Sequence, residues 1–202
     1  MDVIVQFIIL IMSVVVHEVS HGYAAQSLGD PTARLAGRLT LNPLKHLDPV
    51  GSFVVPLITW FSGGFVFGWA KPVPYNPYNL RPSRWSEAFV AIAGPLSNIA
   101  LAICFGLLIR FATGLFPVGA ITIFAMIVLV NISLAIFNLI PIPPLDGSKI
   151  LFAFLPLHLS HVREMLERYG FVLVIIFVIT LSHFLVPAVS GLFHLITGVS
   201  LS

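Results

Sequence analysis

Three residues near the end of the first long apolar run carry side chains that bind metals and move protons: His17, Glu18 and His21, in the string His17-Glu18-Val19-Ser20-His21. In a helix, positions four apart share a face, so imidazoles at 17 and 21 can reach one ion while Glu18 points at its bound water. The surrounding run is apolar enough to sit in a membrane. There an ionisable side chain costs about 2.5 to 3.5 kcal/mol by insertion scales and calls for a function. Helix-packing histidines with a snorkelling glutamate are the plainer alternative, and three such groups at ligand spacing fit it poorly. A catalytic zinc takes three protein ligands and leaves a fourth position for water, so a further His, Asp or Glu is expected. Asp146 stands out. It lies in Asn138-Leu139-Ile140-Pro141-Ile142-Pro143-Pro144-Leu145-Asp146-Gly147, where three prolines break a helix and Gly147 permits an unusual turn. A turn-forming or capping aspartate is the competing reading. Asn98 and Asn138 are amides in otherwise apolar helices. They suit an oxyanion, a substrate backbone or groups freed where a helix unwinds, and Asn98 equally suits an interhelical hydrogen bond.

The elements that must position these residues are helices in lipid. Apolar residues make up 58% of the 202-residue chain, charged ones 9%, and the mean hydropathy is +1.03, which excludes a water-soluble globular domain. The expected fold is an all-α polytopic membrane protein with about four transmembrane helices: residues 3–27, 86–112, 118–139 and 170–196. Residues 50–67 are apolar but punctuated by Gly51, Pro56, Gly63 and Gly64, and Lys71-Pro72-Val73-Pro74 follows. A re-entrant segment or hairpin at about 50–75 is expected there, with an edge over 65–74 able to take a substrate by strand addition. One membrane-embedded domain spans 1–202. Its core covers about 3–147, and an interfacial segment and helix cover about 148–198.

Charge placement tests that topology. If 50–67 turns back, Arg34, Arg38, Lys45, Lys71, Arg81, Arg84, Lys149, Arg163 and Arg168 share one side and only Arg110 is opposite. A single crossing would divide the ten cations four against six and send Asp146 to the face opposite the end of helix 1. The positive-inside rule favours the turn-back, with the amino terminus outside and the ligand cluster on the cytoplasmic side. A net charge of +2 from scattered loop residues gives nucleic acid no electrostatic support, and lipid is the expected partner of the basic residues. The lone Cys104 forms no internal disulfide. His158, His161, His183 and His194 lack ligand spacing with a carboxylate. His46 and Asp48 either shape an access path or serve a surface turn.

His17-Glu18-Val19-Ser20-His21 on an early membrane helix, Ala93-Gly94-Pro95-Leu96-Ser97-Asn98 on the next, and the Asn138–Gly147 string together resemble the site-2 protease family of intramembrane metalloproteases. The resemblance spans residues 17–147. It implies a three-helix core, one zinc ion held by His17, His21 and Asp146, Glu18 as catalytic acid/base, and cleavage of transmembrane protein substrates near the bilayer. Neither a PDZ-like insertion nor a nucleotide-sensing domain is seen between or beyond the motifs, so a compact member is expected. A prokaryotic plasma membrane suits it. Two rivals stand beside this reading: a metal-ion transporter using the same ligands, and an inactive member that binds membrane helices without cutting them. Glu18 separates them from a protease, since only hydrolysis requires its proton transfer.

Overall fold

A computed structural model describes residues 3–48, 54 and 71–200. Among them the chain forms α1 (Val3–Ser27), α2 (Thr32–Leu35), α3 (Ser86–Ala112), α4 (Val118–Asn138), α5 (Asp146–Phe154), α6 (Ser160–Leu181) and α7 (Leu185–Thr197), with short 3-10 turns and no strand. The protein is an all-helical integral membrane protein. Ile4–Ser27, Ser86–Leu115 and Val118–Asn138 are long and apolar enough to cross a bilayer. The shortest, 21 residues, reaches about 31 Å at 1.5 Å per residue, matching a hydrocarbon core about 30 Å thick. Outward-facing Phe89, Phe111 and Ile179 are exposed, as expected where the solvent is lipid.

The expected single helix over 170–196 is instead two, and α6 begins ten residues earlier. Ser160–Thr180 and Leu185–Thr197 meet at 75° across a break, a bent pair that can count as a fourth span. Pro187 accounts for the break. It lies in the first turn of α7, where a missing N–H costs nothing, whereas in a continuous helix it would orphan a carbonyl and clash with the preceding turn. The anticipated hairpin at about 50–75 falls largely outside the described residues.

Helix α3 is the centre of the bundle and packs against α1, α4, α5 and α7. Its lower half forms the main apolar cluster, Ala102 and Ile109 against Val128 and Ile132 of α4 and Phe193 of α7. Gly106 lets α7 approach, because a Cβ there would collide with Ile196. Arg110 donates from Nη1 to Leu195 O at 2.8 Å, fixing the end of α7 to the end of α3. The other end of the bundle gathers the carboxyl end of α1, the amino end of α3 and the segment after α4.

Two backbone hydrogen bonds hold the chain at that end before and after the undescribed stretch. Lys71 N donates to His46 O at 2.8 Å, and Arg81 N donates to Leu28 O at 2.8 Å. His46 and Lys71 therefore lie side by side at that end of the bundle. Asp30, fully buried, is the pin. Its Oδ1 accepts from Thr32 N at 3.1 Å, Asn79 Nδ2 at 2.9 Å and the Thr32 hydroxyl, while Oδ2 accepts from Asn76 N at 2.7 Å. Burial pushes the Asp30 carboxyl up, but these donors outweigh it and hold the group below the ordinary carboxylate range. Gly29 turns the chain into this pin at φ +107, a left-handed backbone that a side chain would strain.

Candidate metal centre

The last turns of α1 bring His17 and His21 onto one face, both buried. Asp146, more than a hundred residues later, is carried to them by the break after α4. Helix α4 ends at Asn138, the proline-rich turn follows, and Asp146 opens α5. Gly147 matters here for closeness rather than for an unusual dihedral. Its φ is not left-handed, but a Cβ would run into the carbonyl oxygens of Leu139 and Ile140. Only glycine lets the outgoing and returning arms of the turn pack this tightly, and that contact sets where Asp146 points.

Three atoms converge. His17 Nε2 lies 3.1 Å and His21 Nε2 3.2 Å from Asp146 Oδ2, and the two nitrogens are 3.0 Å apart. These atoms form a group of side chains able to hold a metal ion. The opposite ring nitrogens fix the tautomers. His21 Nδ1 is 2.7 Å from Val90 O, which can only accept, so Nδ1 carries the proton. His17 Nδ1 is 2.6 Å from Asn98 Oδ1. The Asn98 amide is oriented by Ser13 O and Asn131 Oδ1, which take hydrogen bonds from Nδ2 at 3.3 and 2.7 Å. Its oxygen must therefore face the imidazole, and His17 Nδ1 donates. In their neutral form both rings then present a lone pair at Nε2, toward a carboxylate oxygen that is buried without a hydrogen-bond donor. Three lone-pair atoms facing one another repel unless a cation joins them. Ligands at 2.0 to 2.1 Å around a tetrahedral zinc are about 3.3 Å apart, close to the spacings seen, so the residues fit that ion.

Backbone approach from α3 completes the pocket. A Cβ at Gly94 would stand 2.6 Å from His17 Nε2 and closer still to His21 Nε2, so bare main chain lies against the cluster. Pro95 follows within the helix and, lacking an N–H, cannot donate to the Ala91 carbonyl, next in the chain to the Val90 carbonyl that orients His21. Glu18, half-buried and next to His17, accepts from Val73 N at Oε2 at 2.9 Å.

The sequence-derived candidates thus divide. His17, His21 and Asp146 meet, Glu18 is adjacent, and Asn98 reaches the cluster through His17. Every polar atom of Asn98 is engaged inside the protein, and the residue is fully buried. Asn138 donates to Leu134 O of its own helix at 3.0 Å and does not join the group. His46 is buried in the loop, its Nε2 2.8 Å from Thr40 O, so it organises a turn. Ser13, Asn131, Val90 O and Val73 N were not singled out from sequence. Asn131 carried a signal, an amide in the middle of the most apolar helix; it donates to Ser13 Oγ at 2.9 Å and to Ile127 O at 2.8 Å.

The model of peptidase family M50 matches residues 5–116 and 113–181. The chain belongs to peptidase family M50, the site-2 protease family. Three relatives of this chain carry the name "putative zinc metalloprotease". YwhC of Bacillus subtilis is 38% identical over 180 residues, covering 86% of this chain and 79% of the relative. Rip2 of Mycolicibacterium smegmatis is 30% identical over 174 residues, covering 84% of this chain and 64% of the relative. MJ0611 of Methanocaldococcus jannaschii is 42% identical over 107 residues, 46% of this chain and 52% of the relative. No solved structure matches the chain. The family assignment agrees with the three motifs, and with their order, on helices α1, α3 and the end of α4.

Proposed function

We propose that this protein is an intramembrane zinc metalloendopeptidase that hydrolyses peptide bonds within or near transmembrane segments of membrane-protein substrates. The observation that carries the reading is the convergence of His17 Nε2, His21 Nε2 and Asp146 Oδ2 within 3.2 Å beside Glu18. His17, His21 and Asp146 hold one ion, and zinc bound there supplies Lewis-acid activation of water and of the scissile carbonyl. Glu18 takes a proton from the attacking water and returns it to the leaving amine. Asn98 and the Val90 carbonyl hold the two imidazoles in the tautomer that leaves Nε2 free, a role that uses up the Asn98 amide and leaves it none for an oxyanion.

Placement of the cluster supports an intramembrane substrate. His17 and His21 lie inside a candidate span, a few turns from the end that carries Arg34, Arg38 and Arg81. By the positive-inside rule that end is cytoplasmic, in a prokaryotic plasma membrane. A substrate helix keeps its amides in its own hydrogen bonds, so it must unwind locally before reaching the cluster. The test is purified protein in liposomes with a designed transmembrane substrate, comparing wild type, Glu18→Gln and Asp146→Asn. Wild type cleaves, Glu18→Gln retains zinc without cleaving, and Asp146→Asn loses zinc. Wild-type cleavage by Glu18→Gln would defeat the proposal.

A further inference from the structure

Arg38 has no place in the scheme above, yet it is buried to 9% exposure beside the segment that touches Glu18. Its guanidinium is spent on main chain: Nη2 donates to Lys71 O at 2.8 Å and approaches Pro72 O at 3.4 Å, and Nε is buried without a partner. Burying a guanidinium is costly, so an arginine used this way holds something whose position matters. What it holds is a segment with one main-chain donor. Pro72 and Pro74 have no N–H and fixed φ, leaving Val73 N as the only donor from 72 to 74, and it meets Glu18 Oε2 at 2.9 Å.

The segment is fixed from two further directions. Lys71 N donates to His46 O at 2.8 Å, so residue 71 is held at its N–H and its carbonyl. The Val73 side chain is buried at 5% exposure. It packs on Gly22, one position after the HEVSH string, where an added Cβ would meet Val73 Cγ1 at 2.8 Å.

We propose that Arg38 is a positioning residue for Glu18, acting through the backbone of Lys71-Pro72-Val73 so that the Val73 N–H fixes Oε2 and leaves Oε1 to carry the proton. This rests on Glu18 being the group that moves the proton. A carboxylate is a two-fold rotor at the end of a flexible side chain, and one fixed oxygen turns it into an aligned base. Misplacing such a group by about 1 Å costs on the order of 100-fold in rate.

The test uses full-length protein in liposomes with the same designed transmembrane substrate. Arg38→Met is expected to lower kcat by about tenfold to 100-fold, with KM within about twofold of wild type and zinc content unchanged. Arg38→Lys should recover part of the loss, since an ammonium can still meet one of the two carbonyls. Replacing Val73 by its α-hydroxy acid turns the amide into an ester, which deletes the donor and keeps the side chain. It should lower kcat like Arg38→Met. Independently of turnover, the Val73 amide should be protected from hydrogen exchange in wild type and lose that protection in Glu18→Ala. Wild-type kcat in the ester variant overturns the proposal, as does a rise in KM alone in Arg38→Met. If Arg38→Met fails to fold or loses zinc, the ester variant decides. Inactivity of Glu18→Gln alongside wild-type kcat in the ester defeats only the positioning role. Full activity of Glu18→Gln defeats the underlying reading instead.

Discussion

Gly94→Ala should abolish tight zinc binding while leaving the helix that carries it intact. The new Cβ would stand 2.6 Å from His17 Cε1 and Nε2, and ordinary contact begins at 3.4 Å, so the ring must retreat by 3.4 − 2.6 = 0.8 Å. Metal–ligand distances tolerate about 0.2 Å, so this displacement is about fourfold too large. His21 Nε2 is approached more closely still. Losing an orienting neighbour of a ligand costs about 10- to 100-fold in affinity, and displacing two ligands should cost at least the upper figure, about 2.7 kcal/mol. The intrinsic helix preference runs the other way, since alanine is favoured over glycine by about 1 kcal/mol in a helix interior. Helix α3 itself is therefore not weakened by the substitution. Zinc content after dialysis against chelators of graded strength measures the loss, with Gly119→Ala in α4 as control because a Cβ there meets nothing within 4 Å. Wild-type affinity in Gly94→Ala, or equal losses in both variants, would show that the α3 backbone does not lie against a metal.

Asn98→Leu should reduce zinc affinity by about 10- to 100-fold, because His17 Nδ1 loses the acceptor that fixes its tautomer. It should also destabilise the bundle by about 1–3 kcal/mol through the unpaired groups left on Ser13 and Asn131, measured by unfolding in mixed micelles. Asp30→Asn should destabilise the protein by about 1–2 kcal/mol at neutral pH. Because the Asp30 carboxyl is held below its ordinary range, its contribution is fully present above about pH 4 and is lost as pH falls through the folded-state value. Wild type should lose stability more steeply than Asp30→Asn as pH falls below about 4, and parallel curves would refute the assignment.

Much of this arrangement was legible in residue order. The bounds of α1 and α3 match the apolar runs, and α4 is one residue shorter than expected, because in lipid a helix must satisfy its own backbone and its length is set by the bilayer. His17, His21 and Asp146 were readable because ligand chemistry restricts residue types and spacing. The bend before α7 was missed because Pro187 sits inside a run whose hydropathy alone reads as one span. Val73 N and Val90 O were invisible for a different reason, as main-chain atoms belong to every residue and only the fold selects which ones face the site. Arg38 entered the sequence reading as one positive charge among nine. Burial and carbonyl partners, not charge, distinguish it.

The Ser13–Asn98–Asn131 contacts have a consequence for how the molecule is made. Apolar helices in lipid gain little from choosing one sliding position over another, whereas these amides and this hydroxyl meet only when α1, α3 and α4 stand at one relative height. A shift of any helix by one turn would separate them by about 5.4 Å. The same height brings His17 beside Asn98, and Asp146 follows α4 in the chain. A growing polypeptide therefore carries two histidines through the membrane long before it owns the third donor. The last piece of the cluster emerges only after the helix that sets the alignment has been made.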